Sequence, residues 1–146
     1  MATISDVSII DSNTADAKPV ESGLERTICG QSLCGSKNLT VYKRTILAGR
    51  QFDLQAGEDY HLVYTMQGSA DGLVKFNGEA HVAEEGAGVL LAPGESAEFE
   101  ATGSDLELLH MVTPRPPAAV EDGLPGGPGY FFNRRTLRAL SDASGG

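Results

Sequence analysis

No apolar run in this chain approaches the roughly 20 residues needed to cross a bilayer as a helix. The N-terminus lacks the basic stretch and apolar core of a secretory leader, so the expected location is the cytoplasm and no membrane is expected as a partner. Basic residues are scarce, with 11 Lys and Arg against 20 Asp and Glu, for a net charge of -9. Binding phosphate by counterion release needs a basic surface, which excludes nucleic acid as a partner. The acidic surface serves solubility. Cysteine is limited to Cys29 and Cys34 in TICGQSLCG, too few for a disulfide framework or a complete zinc site. They read as two thiols on a strand and its turn, with a local disulfide or a reactive thiol as the alternative. Tryptophan is absent, and at 146 residues the chain can bury one core but not two.

Glycine, in contrast, is plentiful at 18 residues. Short β-branched and aliphatic stretches recur: Leu39 to Leu47, Gln51 to Leu54, His61 to Met66, Leu73 to Phe76, Ala80 to Ala83, Val89 to Leu91, Ala97 to Glu100 and Leu106 to Val112. Turn dipeptides separate them, including Ala48-Gly49, Ala56-Gly57, Asn77-Gly78 and Pro93-Gly94. No sustained helical period interrupts the series, so residues 24–114 read as an all-β sandwich or barrel. Asn77-Gly78 is a hairpin turn, because both residues tolerate positive φ.

Residues 1–23 are polar apart from Val7 to Ile10 and form an expected loose arm that adds a strand to a neighbouring sheet. Residues 115–146 begin with a Pro/Gly-rich connector that cannot continue a ladder. The segment YFFNRRTLRAL follows. Leaving Tyr130, Phe131 and Phe132 in water would forgo about 1.5 to 3 kcal/mol each, so they are expected to pack back on the barrel. Asn133 caps an expected short helix through Leu140.

Between Arg50 and Phe99 the chain resembles the cupin superfamily in its two motifs. In the usual first motif a His-x-His pair precedes a glutamate and a closing glycine. Gly68 stands at that glycine here, His61 at the glutamate, and Gln55 and Gly57 at the two histidines. The second motif follows in GAGVLLAPGESAEF, with Ala97 at its histidine, Ala87 at its aspartate and the proline moved by one to Pro93. The segments YHLVYTMQG and LELLHMVTPRPP are also similar to ectoine synthase, a cupin-fold enzyme that closes a ring by eliminating water. This chain lacks the glutamate and histidine expected to bind iron there. The resemblance implies a cupin-like double-stranded β-helix, or jelly-roll barrel, with the ligand in its lumen; the short C-terminal helix is expected beside it from Asn133 and the residues that follow.

A divalent ion needs three or four converging donors, normally imidazole or carboxylate. Gln55, Gly57, His61 and Ala97 supply one imidazole and one weak amide oxygen, so no metal cofactor is expected. An atypical site through His61 and His110, or with Glu58 or Asp59 turned inward, is the alternative. Strand alternation puts His61 in the lumen beside Val63 and Thr65, where an imidazole can act as general acid or base, or as a hydrogen-bonded structural residue. His110, in LELLHMV, shares no face with Leu109 and Met111, and the sequence leaves its direction open. His81 reads as structural or exposed. Tyr42 and Arg44 share one face of LTVYKRTIL; if that face is the lumen, they favour an anionic or carbonyl-bearing ligand, and otherwise they are exterior residues.

The expected function is therefore an enzyme of isomerase, epimerase, cyclase or dehydratase type, in a biosynthetic pathway, that moves protons on a small organic molecule. His61 and Tyr42 are the expected catalytic residues; Arg44, Gln55, Thr65, His110, Phe99 and Met111 are the expected substrate contacts. A non-catalytic ligand-binding cupin and a metal enzyme with atypical ligands are the alternatives. Exposed strands, the N-terminal arm and Tyr130 to Phe132 favour a homodimer.

Overall fold

The computed structural model describes residues 16–30, 38–68, 72–114 and 129–133. Within them the chain forms only strands: β1 (Ala17–Val20), β2 (Gly23–Cys29), β3 (Thr40–Ile46), β4 (Gln51–Gln55), β5 (Tyr60–Gln67), β6 (Leu73–Phe76), β7 (Glu79–Val82), β8 (Gly88–Leu91), β9 (Ser96–Glu100), β10 (Leu106–Thr113) and β11 (Tyr130–Phe132). The short apolar stretches and turn dipeptides thus become strands and hairpins, as their composition requires. The helix expected from Asn133 lies outside the described residues beyond its cap, as do most of the connector and Cys34. Cys29 ends β2. β1 and β2 pair antiparallel through the turn at Glu21 and Ser22, so residues 17–20 of the expected arm are a strand.

Two antiparallel sheets pack face to face, one of seven strands in the order β1-β2-β3-β10-β5-β8-β11 and one of four in the order β4-β9-β6-β7. Alternation selects their inner faces. On β5 the buried residues are His61, Val63 and Thr65; on β10 they are Leu106, Leu108 and His110. Leu54, Val74, Phe76, Ala97 and Phe99 face them from the smaller sheet, and Val63, Val89, Leu91, Leu106 and Leu108 complete the core without solvent exposure. Ala97, at a cupin histidine position, is therefore a packing residue.

Two turns show why particular residues are required. Asn77 and Gly78 both adopt left-handed φ values, 54° and 77°, which matches the twist of the β6–β7 hairpin. Gly68 leaves β5 where an added Cβ would overlap the Ala83 carbonyl oxygen and press on the Glu84 backbone. The closing glycine of the first motif is thus explained by close backbone approach.

Among the described residues, two seams lie between the sheets. At one, β11 lies near the β6–β7 hairpin: the Phe131 ring stacks on His81 with centroids 3.9 Å apart and packs against the core. Glu95 secures the entry to β11, its Oε1 accepting from the backbone N–H of Ala92 at 2.7 Å and of Gly129 at 2.8 Å. Phe131 is thus the residue of this segment that packs on the core cluster. The other seam lies between the β1–β2 turn and β4.

Candidate functional site

Register assembles the site. Arg44 stands directly opposite Glu25 across the β2–β3 ladder, and Tyr42 opposite His110 across the β3–β10 ladder. His110 lies one step diagonally from Arg44, and His61 one step diagonally from His110 on the far side, since His110 pairs with Val63 and His61 with Val112. Diagonal neighbours on one face are within reach of long and aromatic side chains. An oblique row of polar groups thus crosses the inner face of the large sheet.

The row is continuously hydrogen-bonded. Arg44 Nη1 donates to Glu25 Oε2 at 2.6 Å, and Arg44 Nε donates to His110 Nδ1 at 3.0 Å. His110 Nε2 lies 2.8 Å from His61 Nδ1, and His61 Nε2 lies 3.0 Å from the Ala56 carbonyl oxygen. One donor order satisfies every link. Because the guanidinium can only donate, His110 must accept at Nδ1 and carry its proton on Nε2. That proton points at His61 Nδ1, so His61 carries its own on Nε2 and donates it to Ala56. Both rings are neutral in this arrangement.

Electrostatics point the same way. Burial lowers the His110 pKa to about 3, reinforced by the Arg44 charge and by His61. Burial also lowers the His61 pKa, more than the Ala56 hydrogen bond and the Asp59 charge raise it. Arg44 is itself held closely, with its guanidinium carbon 4.7 Å from the Tyr42 ring centre and 4.6 Å from that of Phe52. It is 8% exposed and reaches the second seam, a cleft of about 660 Å³. Val20, Glu21, Glu25, Arg50, Phe52 and Asp53 are among the residues that line the cleft with it.

The structure brings together four of the residues singled out in the sequence: Tyr42, Arg44, His61 and His110. Arg44 alone of these lines the cleft. Thr65 and Phe99 also face inward but are sealed in the core, at 1% and 0% exposure, with Phe99 stacked on Phe52. Gln55 and Met111 do not belong to the site. Gln55 is exposed, because β4 turns Phe52 and Leu54 inward and its odd-numbered residues outward. Met111 lies on the face of β10 opposite His110. Sequence reasoning missed Glu25 and Phe52. The signal for Glu25 was opposite charge at facing positions, which becomes visible only once β2 is paired with β3.

The donor set does not fit the metal that cupins usually hold. Among the described residues no group of three His, Cys, Asp or Glu side chains converges; Glu58 and Asp59 do not join His61 and His110. The charged group hydrogen-bonded to the imidazole pair is the Arg44 guanidinium, whose charge repels a cation.

Residues 42–137, more than half of the chain, match the model of the AraC-like ligand binding domain. The chain belongs to this family. This AraC-like domain has the cupin fold, which solved structures share at low identity. One is a predicted oxalate decarboxylase from Thermotoga maritima: TM-score 0.65, 17% identity, 74% of this chain and 100% of that one. Another is the polyketide cyclase RemF from Streptomyces resistomycificus: TM-score 0.65, 16% identity, 76% of this chain and 82% of that one. A third is the protein YlbA of E. coli: TM-score 0.66, 13% identity, 85% of this chain and 50% of that one. No curated protein matches the sequence. Among the described residues of the domain, no helix is long and apolar enough to cross a membrane.

Proposed function

We propose that this AraC-like domain binds a small carbonyl- or carboxylate-bearing organic molecule in the cleft at Arg44, without a metal ion. The observation that carries the reading is the position of Arg44: its guanidinium lines the cleft while its Nε holds the buried imidazole pair. A ligand that accepts a hydrogen bond from Arg44 would find Phe52 as a flat apolar wall, and a cleft of about 660 Å³ lies within the range of small-molecule sites. Binding is favoured over catalysis by His61, because neither imidazole has an unengaged lone pair. His110 Nδ1 accepts from Arg44, and His61 Nδ1 accepts from His110.

The test is a thermal-shift and calorimetric screen of small carboxylates, ketones and amides against the wild type and Arg44→Met. Compounds that stabilise the wild type are expected to lose at least tenfold in affinity in the variant. Equal affinity for both proteins would remove Arg44 from the site and end this reading.

The hydrogen-bond row supports a second reading, proton-transfer catalysis. A ligand oxygen that draws Arg44 away would free His110 Nδ1. That nitrogen can then take a proton from the ligand while His110 passes its Nε2 proton to His61, which becomes the cation and keeps its bond to Ala56. This makes His110 the base and His61 the proton store, with isomerase, cyclase or dehydratase chemistry as the class. RemF, a polyketide cyclase, supplies a fold analogy only. Loss of turnover in both His110→Gln and His61→Gln, with ligand affinity retained, is the expected result. Unchanged turnover would leave the binding reading alone.

The homodimer forms part of the proposal. Leu62, Tyr64, Leu90, Leu109 and Met111 lie side by side on the outer face of the large sheet, half-buried. Light scattering is expected to give twice the mass of 15.3 kDa, and a monomer across micromolar concentrations would refute the dimer.

A further inference from the structure

This inference rests on the ligand site at Arg44 and narrows its chemistry. We infer that Glu25 occupies the place of a ligand carboxylate on Arg44, so that the site selects neutral carbonyl compounds over anions. Its Oε2 accepts from Arg44 Nη1 at 2.6 Å, the distance of a strong charge-assisted bond, and the two residues face each other across the β2–β3 ladder. Both line the cleft. The guanidinium is held in place and its charge is already paired: Nε is on His110, Nη1 on Glu25, and the aromatic rings of Tyr42 and Phe52 pack against it, which leaves its other N–H groups for a ligand.

A second carboxylate therefore meets one of two situations. If it approaches the remaining N–H groups while Glu25 stays, two anions share one cation at short range in a partly dehydrated cleft. If it displaces Glu25, the protein must break its own short ion pair for a bond of the same kind, with little net gain. A neutral carbonyl oxygen escapes both penalties, because it accepts from a free Arg44 N–H without contesting the charge of Glu25. The wider cleft has the same bias. Glu21, Glu25 and Asp53 against Arg44 and Arg50 give it a formal charge of -1, counted as two positive against three negative side chains. Arg50 is also engaged, donating from Nη1 to the Glu21 carbonyl oxygen at 3.3 Å.

Benzamide and benzoate make the test, since they share a ring suited to Phe52 and differ in charge. Titration calorimetry of the full chain is expected to show benzamide binding at least tenfold tighter than benzoate. Glu25→Gln, which keeps an acceptor for Arg44, is expected to raise benzoate affinity at least tenfold and to change benzamide affinity by less than about threefold. Glu25→Asp keeps the charge and should retain discrimination against benzoate, whereas Glu25→Ser removes the charge with a smaller side chain, should lose it, and is the variant that decides should Glu25→Gln fail to fold. Equal binding of the two probes by the wild type, or undiminished discrimination against benzoate in the uncharged variant, would overturn the role of Glu25. In that case loss of both probes in Arg44→Met would leave the ligand site itself standing. No binding of either probe to any of these proteins would overturn the site as well.

Discussion

Acidification should weaken this fold through His110, and the size of the effect follows from its surroundings. Its pKa falls from an ordinary 6.5 to about 3, chiefly through burial and then through the fixed positive charge of Arg44. In the unfolded chain the same imidazole regains its ordinary value. Between pH 6.5 and about 3 the unfolded state therefore binds a proton that the folded state refuses, and linkage makes stability fall as pH falls across that window. Above pH 6.5 the contribution is fully present. At pH 5 the unfolded state has gained about 1.5 pH units of proton binding, or about 2 kcal/mol at 1.36 kcal/mol per unit. That is a large share of the about 5 to 15 kcal/mol by which domains are stable.

Urea unfolding of the wild type and of His110→Gln at pH 7 and pH 5 reads this directly. Glutamine can accept from Arg44 and donate to His61 in the same order as the neutral imidazole, yet it does not titrate. The variant should lose about 2 kcal/mol less than the wild type between the two pH values. His61, whose pKa is also lowered by burial, adds a loss of the same sign that remains in the variant. Identical pH dependence of the two proteins would refute the neutral, Arg44-bound state of His110.

Three further outcomes follow from particular contacts. Thr65 Oγ1 is buried and finds no hydrogen-bond partner among the described residues, so Thr65→Val should stabilise the fold by about 1 kcal/mol in the same urea assay. A loss of stability would show that the hydroxyl is satisfied. Gly68→Ala drives a methyl group into the Ala83 carbonyl and the Glu84 backbone, and should cost about 3 kcal/mol, measured as a lower melting temperature. Glu95→Ala removes the acceptor shared by Ala92 and Gly129 and should cost about 1 to 3 kcal/mol, with hydrogen exchange rising first in β11. Uniform exchange across the barrel would argue against a local tether.

Much of the fold is legible without the structure, because it rests on local chemistry. Turn residues between short apolar stretches impose hairpins, and period-two alternation chooses the inner face of each strand. On those grounds His61 belongs inside with Val63 and Thr65, and it is inside at 8% exposure. The same rule, applied to Gln55, would have turned it outward with Gln51 and Asp53; the motif position drew it inward. His110 and Met111 show where alternation alone stops, since Leu108 and Leu109 are both apolar and either face of β10 could have been buried. Packing against the smaller sheet settles that choice by sealing Leu106 and Leu108 at 0% exposure, which takes His110 inside and leaves Met111 outside.

The candidate site depended far more on tertiary structure. The resemblance to the cupin motifs implied that the barrel carries one imidazole, His61, at the positions where a cupin holds several donors. It could not determine what that imidazole touches. Glu25, Arg44, His110 and His61 are scattered over 86 positions, from 25 to 110, and become a single hydrogen-bonded row only because β2, β3, β10 and β5 are neighbours in one sheet. Strand order and register are set by the global fit of the two sheets. Hydrogen-bond direction then follows from chemistry that the sequence already contained: a guanidinium can only donate, and that one constraint, placed beside His110 by the fold, orders every proton as far as Ala56.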